Sequence, residues 1–410
     1  MLGNEVVILI NHKEQRMVKR SCRPYLQRTA PPSLPTKGIH GRCLQAVNLV
    51  TFIHGKGAEN LVNKLSNINF ANMKYSFIIP VYNRPDEVEE LLASMCTQTL
   101  HDFEVIIVED GSAIPCKEVV DRYASQLNIH YYEKPNSGPG QTRNYGVERA
   151  SGEYVLILDS DVVLPEGYLK AVDEELQQHP CDAFGGPDRA HASFTPMQKA
   201  INYAMTSFFT TGGIRGGKKK LDKFYPRSFN MGVRRDVYNQ LQGFSKMRFG
   251  EDIDFSTRIF KGGYACRLFP EAWVWHKRRT DLRKFFKQVH NSGIARINLT
   301  YLHPGTLKLV HLLPTVFTAG SACLLLLALI ALCRGFVGYA FLILSPALFF
   351  SLIIFTDATY AEKNTGVGLR AIAAAFVQLF GYGSGFLRAV WTRCILGRGE
   401  FEAFKKNFYK

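Results

Sequence analysis

The chain has 410 residues, and 46% of them are hydrophobic, which excludes a disordered or collagen-like protein. Fifty Lys and Arg against 35 Asp and Glu give a net charge of +15. Such an excess points to nucleic acid or to an anionic membrane surface, and the positions of the charges must decide between the two.

Residues 1–72 are predicted to be an irregular N-terminal extension. They contain ten Lys or Arg and three Asp or Glu, and no hydrophobic period is sustained through them. Their apolar stretch near Glu5 is too short for a signal peptide. Because a buried strand begins directly after Met73-Lys74, we expect that Met73 is the true start and that residues 1–72 are an over-extended translation.

Residues 73–280 are predicted to form an α/β domain with a doubly wound, mostly parallel sheet. Short apolar, β-branched runs alternate with helical segments, which is typical of strands covered on both faces. The four predicted strands are Ser76–Val81, Phe103–Glu109, Ile129–Glu133 and Tyr154–Leu158. Ligands of such sheets bind beyond the carboxyl ends of the strands.

Acidic residues follow two of these strands. Asp110 ends the second strand, and Asp159 and Asp161 follow the fourth as a DxD motif. Carboxylates of this kind bind hard divalent cations that also contact substrate phosphates. A DxD motif alone is a weak signal, but its place at a strand end strengthens it. A dinucleotide site is disfavoured, because Gly138-Pro139-Gly140 lacks the third glycine of that motif and no Walker A sequence is present.

Two further motifs lie later in this domain. Glu251 and Asp252 open an amphipathic helix, where acids either stabilise the helix dipole or supply a general base. His276 ends a short strand and is either an ordinary histidine or a metal ligand. The glycine- and lysine-rich segment 212–220 is either a solvated linker or a loop that orders over an anionic ligand.

Residues 75 to about 300 resemble a family 2 glycosyltransferase of the GT-A type. The order and spacing of several motifs carry this resemblance. They are Ile79-Pro80-Val81-Tyr82-Asn83, Val108-Glu109-Asp110-Gly111-Ser112, Arg143-Asn144, Leu158-Asp159-Ser160-Asp161, Asn230-Met231-Gly232-Val233-Arg234-Arg235 and Gly250-Glu251-Asp252. Glu109 stands where the family commonly has Asp.

The resemblance implies an inverting transfer from a nucleotide-diphosphate sugar donor. It implies Asp252 as the catalytic base, Glu251 as the residue that orients it or the acceptor, and Mg²⁺ or Mn²⁺ at Asp161 with His276. The donor-binding residues that it implies are Pro80, Tyr82, Asn83, Asp110, Arg143, Asp159 and Asn230. A QxxRW motif, which the processive synthases of the family carry, is lacking at Gln288-Val289-His290-Asn291-Ser292. A single-transfer enzyme is therefore favoured over a processive polysaccharide synthase.

The C-terminal part is predicted to bind a membrane. Residues 281–305 form a basic amphipathic helix typical of an anionic lipid surface, and this helix adjoins two uncharged stretches within 306–357 that are long enough to span a bilayer. Residues 358–410 contain the borderline apolar stretch Ala371–Leu387, which we expect to be interfacial or re-entrant, and a basic tail.

These features predict a multi-pass cell-membrane enzyme with a cytoplasmic catalytic domain. Positive charge beside the first span favours that orientation, and the nine cysteines form no CxxC pair. The expected partners are the nucleotide-sugar donor, a lipid-linked or cell-surface glycan acceptor and anionic lipids, but no nucleic acid. The alternative from another class is a non-catalytic membrane protein that binds nucleotide sugars.

Overall fold

The fold is described from a computed structural model, for residues 74–189, 194–212, 224–247, 249–277 and 279–398. Residues 1–72, whose start was predicted to be over-extended, lie outside this description. The glycine- and lysine-rich segment after Gly212 and the end of the basic tail also lie outside it.

Four parallel strands form one half of a seven-stranded sheet, which confirms the doubly wound prediction. They are β1 (Tyr75–Val81), β2 (Phe103–Asp110), β3 (Ile129–Lys134) and β4 (Tyr154–Leu158). β1 pairs with β2 on one side and with β4 on the other, so Ile78 lies between Ile106 and Ile157. The carboxyl ends of these strands therefore meet at one edge of the sheet.

The other half of the sheet contains the antiparallel pairings. The remaining strands are β5 (Val162–Val163), β6 (Ala183–Gly185), β7 (Asp188–Arg189), β8 (Asn230–Arg234), β9 (Cys266–Leu268) and β10 (Val274–His276). The large sheet has the order β3-β2-β1-β4-β8-β6-β9, and β5, β10 and β7 form a small second sheet. β10 pairs with β5 so that His276 lies opposite Val162, one residue after Asp161. The small sheet thus brings His276 to the DxD motif.

Helices cover both faces of the large sheet. The helices of this part of the chain are α1 (Pro85–Cys96), α2 (Lys117–Tyr123), α3 (Pro139–Val147), α4 (Tyr168–Gln178), α5 (Pro196–Thr206), α6 (Phe208–Thr211), α7 (Arg235–Gln240) and α8 (Glu251–Lys261). Of these, α5 packs with the long C-terminal helices instead of on the sheet. Phe77 and Leu91 belong to the core that α1, α2 and α4 form on one face. Ile78 and Phe255 belong to the core beneath α3, α7 and α8 on the other. Each fully buried side chain of this size contributes about 1.5–3 kcal/mol.

Four long helices follow the α/β domain. They are α9 (Leu282–Leu302), α10 (Leu309–Cys333), α11 (Val337–Glu362) and α12 (Thr365–Ala389), and a π-helical turn, Val390–Ile395, continues α12. By length and composition, three segments are candidate membrane spans: Leu309–Cys333, Val337–Glu362 and Thr365–Ile395. The first two confirm the expected apolar helices, and their side chains are mostly exposed, as lipid-facing residues are.

The helix α9 lies within the predicted amphipathic segment 281–305, but protein covers most of its apolar face. Its apolar residues Phe285, Val289 and Ile297 are buried, and only Phe286 of the predicted face is substantially exposed. The partner is α12, whose glycines allow close approach. The hydrophobic pattern of α9 could not reveal this, because it shows that a face is apolar but not what covers it.

The glycines of Ala371–Leu387 do not interrupt α12, which is one continuous helix. A Cβ at Gly381 would lie 2.4 Å from Cγ2 of Val289, and a Cβ at Gly385 would lie 1.9 Å from the carbonyl oxygen of His290. These glycines therefore act as contact points between α12 and α9, in the manner of small-residue helix interfaces in membranes.

Candidate active site

The predicted site residues gather at the carboxyl edge of the parallel strands. Pro80, Tyr82 and Asn83 lie at the end of β1 and just after it, and all three are partly exposed. Asn83 has a φ of 53°, and its amide oxygen accepts hydrogen bonds from the backbone N–H groups of Ala113 and Ile114 at 2.7 and 2.9 Å. Its side chain thus ties the loop after β1 to the loop after β2.

Asp110 is buried and holds the loop that follows β3. Its carboxylate lies 2.6 Å from Nζ of Lys134 and accepts backbone N–H groups of Ser137 and Gly138 at 2.8 and 2.9 Å. Lys134 also donates to Ser137. Asp110 therefore fixes the shape of this loop at the ligand-binding edge of the sheet. The contact predicted between Asp110 and the donor stays a prediction.

Arg143 joins the DxD loop to the head of α8. Its guanidinium is buried, with Nη2 2.6 Å from Oδ1 of Asp159 and Nη1 3.1 Å from Oε1 of Glu251. Arg143 and Glu251 lie 108 residues apart in the chain, so this connection exists only in the folded domain.

The acidic pair at the start of α8 has two different environments. Gly250 precedes it with a φ of 84°, and a Cβ there would crowd Leu299 of α9. Burial and the neighbouring Asp252 carboxylate raise the pKa of Glu251 above its usual range. Asp252 pairs instead with Arg227, whose Nε lies 2.7 Å from Oδ2. The Arg227–Asp252 ion pair, at the predicted base, is therefore more exposed than the Arg143–Glu251 pair.

Asp159, Asp161 and His276 form a candidate metal site. One ligand atom of each lies within 4.8 Å of the others. Oδ1 of Asp161 is buried, lies 3.3 Å from Nε2 of His276, and accepts no well-formed hydrogen bond among the described residues. Two carboxylates and an imidazole suit Mn²⁺, and the carboxylates suit Mg²⁺ as well. The residues present therefore fit a divalent cation.

The metal-site groups also have protein partners. Nη1 of Arg84 lies 2.6 Å from Oδ2 of Asp161, and Oδ2 of Asp188 lies 3.7 Å from Nδ1 of His276. The ring of Phe229 stacks on His276 with centroids 5.0 Å apart. The pKa of Asp161 is held below its usual range by His276 and Arg84, which outweigh its burial. This carboxylate is therefore ionised, and its present partners are the positive groups beside it.

Asn230, which was predicted to bind the donor, has no exposed surface. It is fully buried, accepts a hydrogen bond from the Tyr168 hydroxyl at 2.7 Å, and donates to the carbonyl of Ala272 at 2.8 Å. Both ends of its amide thus connect structural elements. Its predicted contact with the donor would have to come through the backbone that it positions.

Sequence reasoning missed Arg84 and Arg227, which pair with the predicted metal ligand and the predicted base. Arg84 directly follows the β1 motif, so its place at a strand end was a signal that could have found it. Arg227 gave no such signal, because only the fold brings it to Asp252.

Part of this chain is similar to known glycosyltransferases. Residues 76–242 match the family model described as Glycosyl transferase family 2. An uncharacterized glycosyltransferase of Rickettsia bellii (strain RML369-C) is 38% identical over 104 residues, which are 25% of this chain and 15% of that protein. The pre-mycofactocin glycosyltransferase of Mycobacterium tuberculosis (strain ATCC 25618 / H37Rv) is 30% identical over 233 residues, 55% of this chain and 47% of that protein. The chain thus spans less than two thirds of either relative.

A solved structure shows the same fold. The mannosyltransferase PcManGT from Pyrobaculum calidifontis, in complex with GDP-Man and Mn²⁺, superposes with a TM-score of 0.53 at 19% identity. The match covers 75% of this chain and 87% of that one. The fold is therefore of the GT-A type, as the sequence motifs indicated.

Proposed function

We propose that this chain, whose family 2 glycosyltransferase domain includes residues 76–242, is a membrane-anchored, metal-dependent, inverting glycosyltransferase. It takes a sugar from a nucleotide-diphosphate donor and transfers it to a lipid-linked or cell-surface glycan acceptor. The supporting observation is the cluster of Asp159, Asp161 and His276, which Arg143 connects to the acidic pair of α8.

Asp252 is the proposed general base. An inverting transfer needs one activated acceptor hydroxyl that attacks in line with the leaving diphosphate, so one carboxylate suffices to accept the proton. Arg227 keeps the Asp252 carboxylate in place before the acceptor arrives. Glu251 is proposed to position Asp252, its neighbour in the chain, because Arg143 links Glu251 to Asp159 of the DxD motif.

Asp161 and His276 would hold the divalent cation, with Asp159 beside them. When bound, such a cation offsets the negative charge that develops on the departing nucleoside diphosphate. The protein contributes a carboxylate that is already ionised and an imidazole that stacking on Phe229 keeps oriented.

The apolar helices support an acceptor at the membrane. α10 and α11 expose large apolar side chains over most of their length, so the catalytic domain would be held at the bilayer surface. Basic residues between Lys277 and Lys308 favour the cytoplasmic face. An enzyme held there meets lipid-linked acceptors at high local concentration.

The test measures donor turnover by the full chain, reconstituted in vesicles, with a panel of UDP- and GDP-sugars. We expect Asp161→Ala and Asp252→Asn each to lower turnover by about 100-fold or more, the usual contribution of such groups. Asp121→Asn, on the exposed surface of α2, is the matched control and should change nothing. Full donor turnover in both folded site variants would contradict the proposal.

The same assay separates the two alternatives. A non-catalytic binder would retain UDP or GDP without turning over any donor. A processive synthase would release long polymer from a single acceptor, which a single-transfer enzyme does not.

A further inference from the structure

Arg84 shares the Asp161 carboxylate with the candidate metal site. It directly follows Asn83, whose amide is fixed to Ala113 and Ile114, and directly precedes α1. Its Nη1 lies 2.6 Å from Oδ2 of Asp161. The Arg84 backbone is therefore anchored at the strand edge, while its long side chain reaches across the site.

The exposure of Arg84 differs from that of the other arginine at the DxD motif. The side chain of Arg84 is 32% exposed, whereas that of Arg143 is 4% exposed and is held by two carboxylates. Arg143 is thus fixed in place. Among the described residues Arg84 is ion-paired with one carboxylate, and part of its side chain faces solvent, so it can exchange that partner for another anion.

A divalent cation and a guanidinium compete for Asp161. An arginine stays charged at any relevant pH, so it cannot yield its place by losing a proton. A cation bound by Asp161 would take over the charge of this carboxylate and would repel the guanidinium on it, which would then need a new acceptor. The anion that enters together with the cation is the donor diphosphate, and the forked guanidinium matches phosphate oxygens in bidentate geometry.

We propose that Arg84 changes partners during donor binding: it neutralises Asp161 before the cation arrives and binds the diphosphate afterwards. This inference rests on the proposed function, since it assigns a residue to the donor of that reaction. It makes Arg84 a donor-binding residue with opposite effects on the two ligands. While Arg84 is paired with Asp161, it weakens the binding of the cation alone. Once Arg84 has moved to the diphosphate, it strengthens the binding of the nucleoside diphosphate together with its cation.

The test uses the full chain in detergent and two binding measurements. Mn²⁺ alone is titrated and followed by electron paramagnetic resonance, and then UDP and GDP are titrated at saturating Mn²⁺ by calorimetry. In Arg84→Ala we expect Mn²⁺ alone to bind about tenfold tighter and the nucleoside diphosphate about tenfold more weakly, as for the loss of one charge-assisted hydrogen bond.

Companion variants separate this role from a structural one. Arg84→Gln, which keeps a polar side chain, should shift both affinities in the same directions as Arg84→Ala, with unchanged thermal unfolding. Arg122→Ala removes an exposed arginine that pairs with Glu89 and should change neither affinity.

Two results would overturn the inference. If Arg84→Ala and Arg84→Gln leave both affinities unchanged, or weaken both, Arg84 does not change partners, and the proposed function still stands. If the wild-type chain binds neither UDP nor GDP in the presence of Mn²⁺, the proposed function fails and the inference fails with it.

Discussion

At the residue scale, the charges of the site hold backbone segments together before any substrate binds. Arg143 is the clearest case, because it is buried and spans from Asp159 after β4 to Glu251 at the start of α8. Removing one partner of such a buried group leaves the others unpaired, which typically costs about 3–5 kcal/mol. The acidic pair is thus fixed relative to the strand edge by the fold itself.

Glu251 makes the stability of the folded chain depend on pH. Its pKa is raised in the folded chain by burial and by Asp252, so the folded state binds this proton more tightly than the unfolded state does. The Glu251 contribution to stability therefore falls as the pH rises above 4.5, the ordinary pKa of the group. We expect Glu251→Gln to gain stability over wild type as the pH rises, by at least about 1.4 kcal/mol, the equivalent of one pKa unit.

Thermal unfolding at several pH values between 4.5 and 8 checks this expectation. Glu174→Gln, on the exposed face of α4, is the control and should run parallel to wild type. A difference between Glu251→Gln and wild type that stays constant with pH would contradict a raised pKa.

The sequence anticipated some site residues better than others. Asp159 and Asp161 follow β4, where ligands of a doubly wound sheet bind, so their place followed from the alternation of strands and helices. His276 ends β10, and the small second sheet brings it to them. Arg84 and Arg227 pair with carboxylates far along the chain. The strand-end position of Arg84 places it at the site, but its partner and the pairing of Arg227 depend on side-chain directions across loops, which no local pattern records.

At the element scale, the α9–α12 interface depends on glycines that allow the two backbones to approach. A Cβ at Gly385 would lie 1.9 Å from the carbonyl oxygen of His290, and a Cβ at Gly293 would lie 2.2 Å from that of Tyr382. Because backbone atoms cannot turn aside as a side chain can, we expect Gly385→Ala to destabilise the protein by about 1–3 kcal/mol, the usual cost of overpacking.

Thermal unfolding in detergent measures that cost. Gly320→Ala in α10 is the matched control, since a Cβ there meets nothing within 4 Å and alanine favours a helix. Equal midpoints for the two variants would mean that α9 and α12 do not pack closely.

Element prediction was most accurate where burial on both faces made the pattern continuous. The bounds of β4 were predicted to the residue, and those of β1 to β3 to within one residue. It could not show how α9 and α12 pack, since the glycines that made Ala371–Leu387 a borderline span mark a helix contact. Whether a glycine ends a helix or packs against a neighbour depends on that neighbour.

At the scale of the whole catalytic and membrane unit, both ends of α12 lie beside elements that also contact the catalytic domain. Val367 and Ala371 share a core with Ile201 of α5. At the other end, the π-helical turn reaches the end of α9, where Arg393 bonds to Asn298. The last turn of α9 is itself joined to α8, because His303, its C-cap, lies 2.8 Å from Asp254.

This arrangement favours α12 as an interfacial helix over a third crossing. A helix that crosses the bilayer places its ends on opposite sides, yet both ends of α12 are adjacent to the catalytic domain. α12 also contacts the hairpin of α10 and α11 near its open end, where Gly383 meets Thr318 and Gly368 meets Thr359. α12 is long and apolar enough to span a bilayer, but these two properties also suit a helix that lies along the membrane surface.

Two native cysteines allow this topology to be tested. Cys333 is exposed at the end of α10, beside the short turn to α11, and Cys394 is exposed after α12, with its Sγ 3.6 Å from the Tyr301 hydroxyl. The test uses two variants, each of which keeps only one of these cysteines, and a membrane-impermeant thiol reagent. We expect the reagent to label Cys333 in intact cells and to label Cys394 only after the membrane is permeabilised. A third crossing by α12 would place both cysteines on the outer side, so labelling of both in intact cells would exclude the interfacial arrangement.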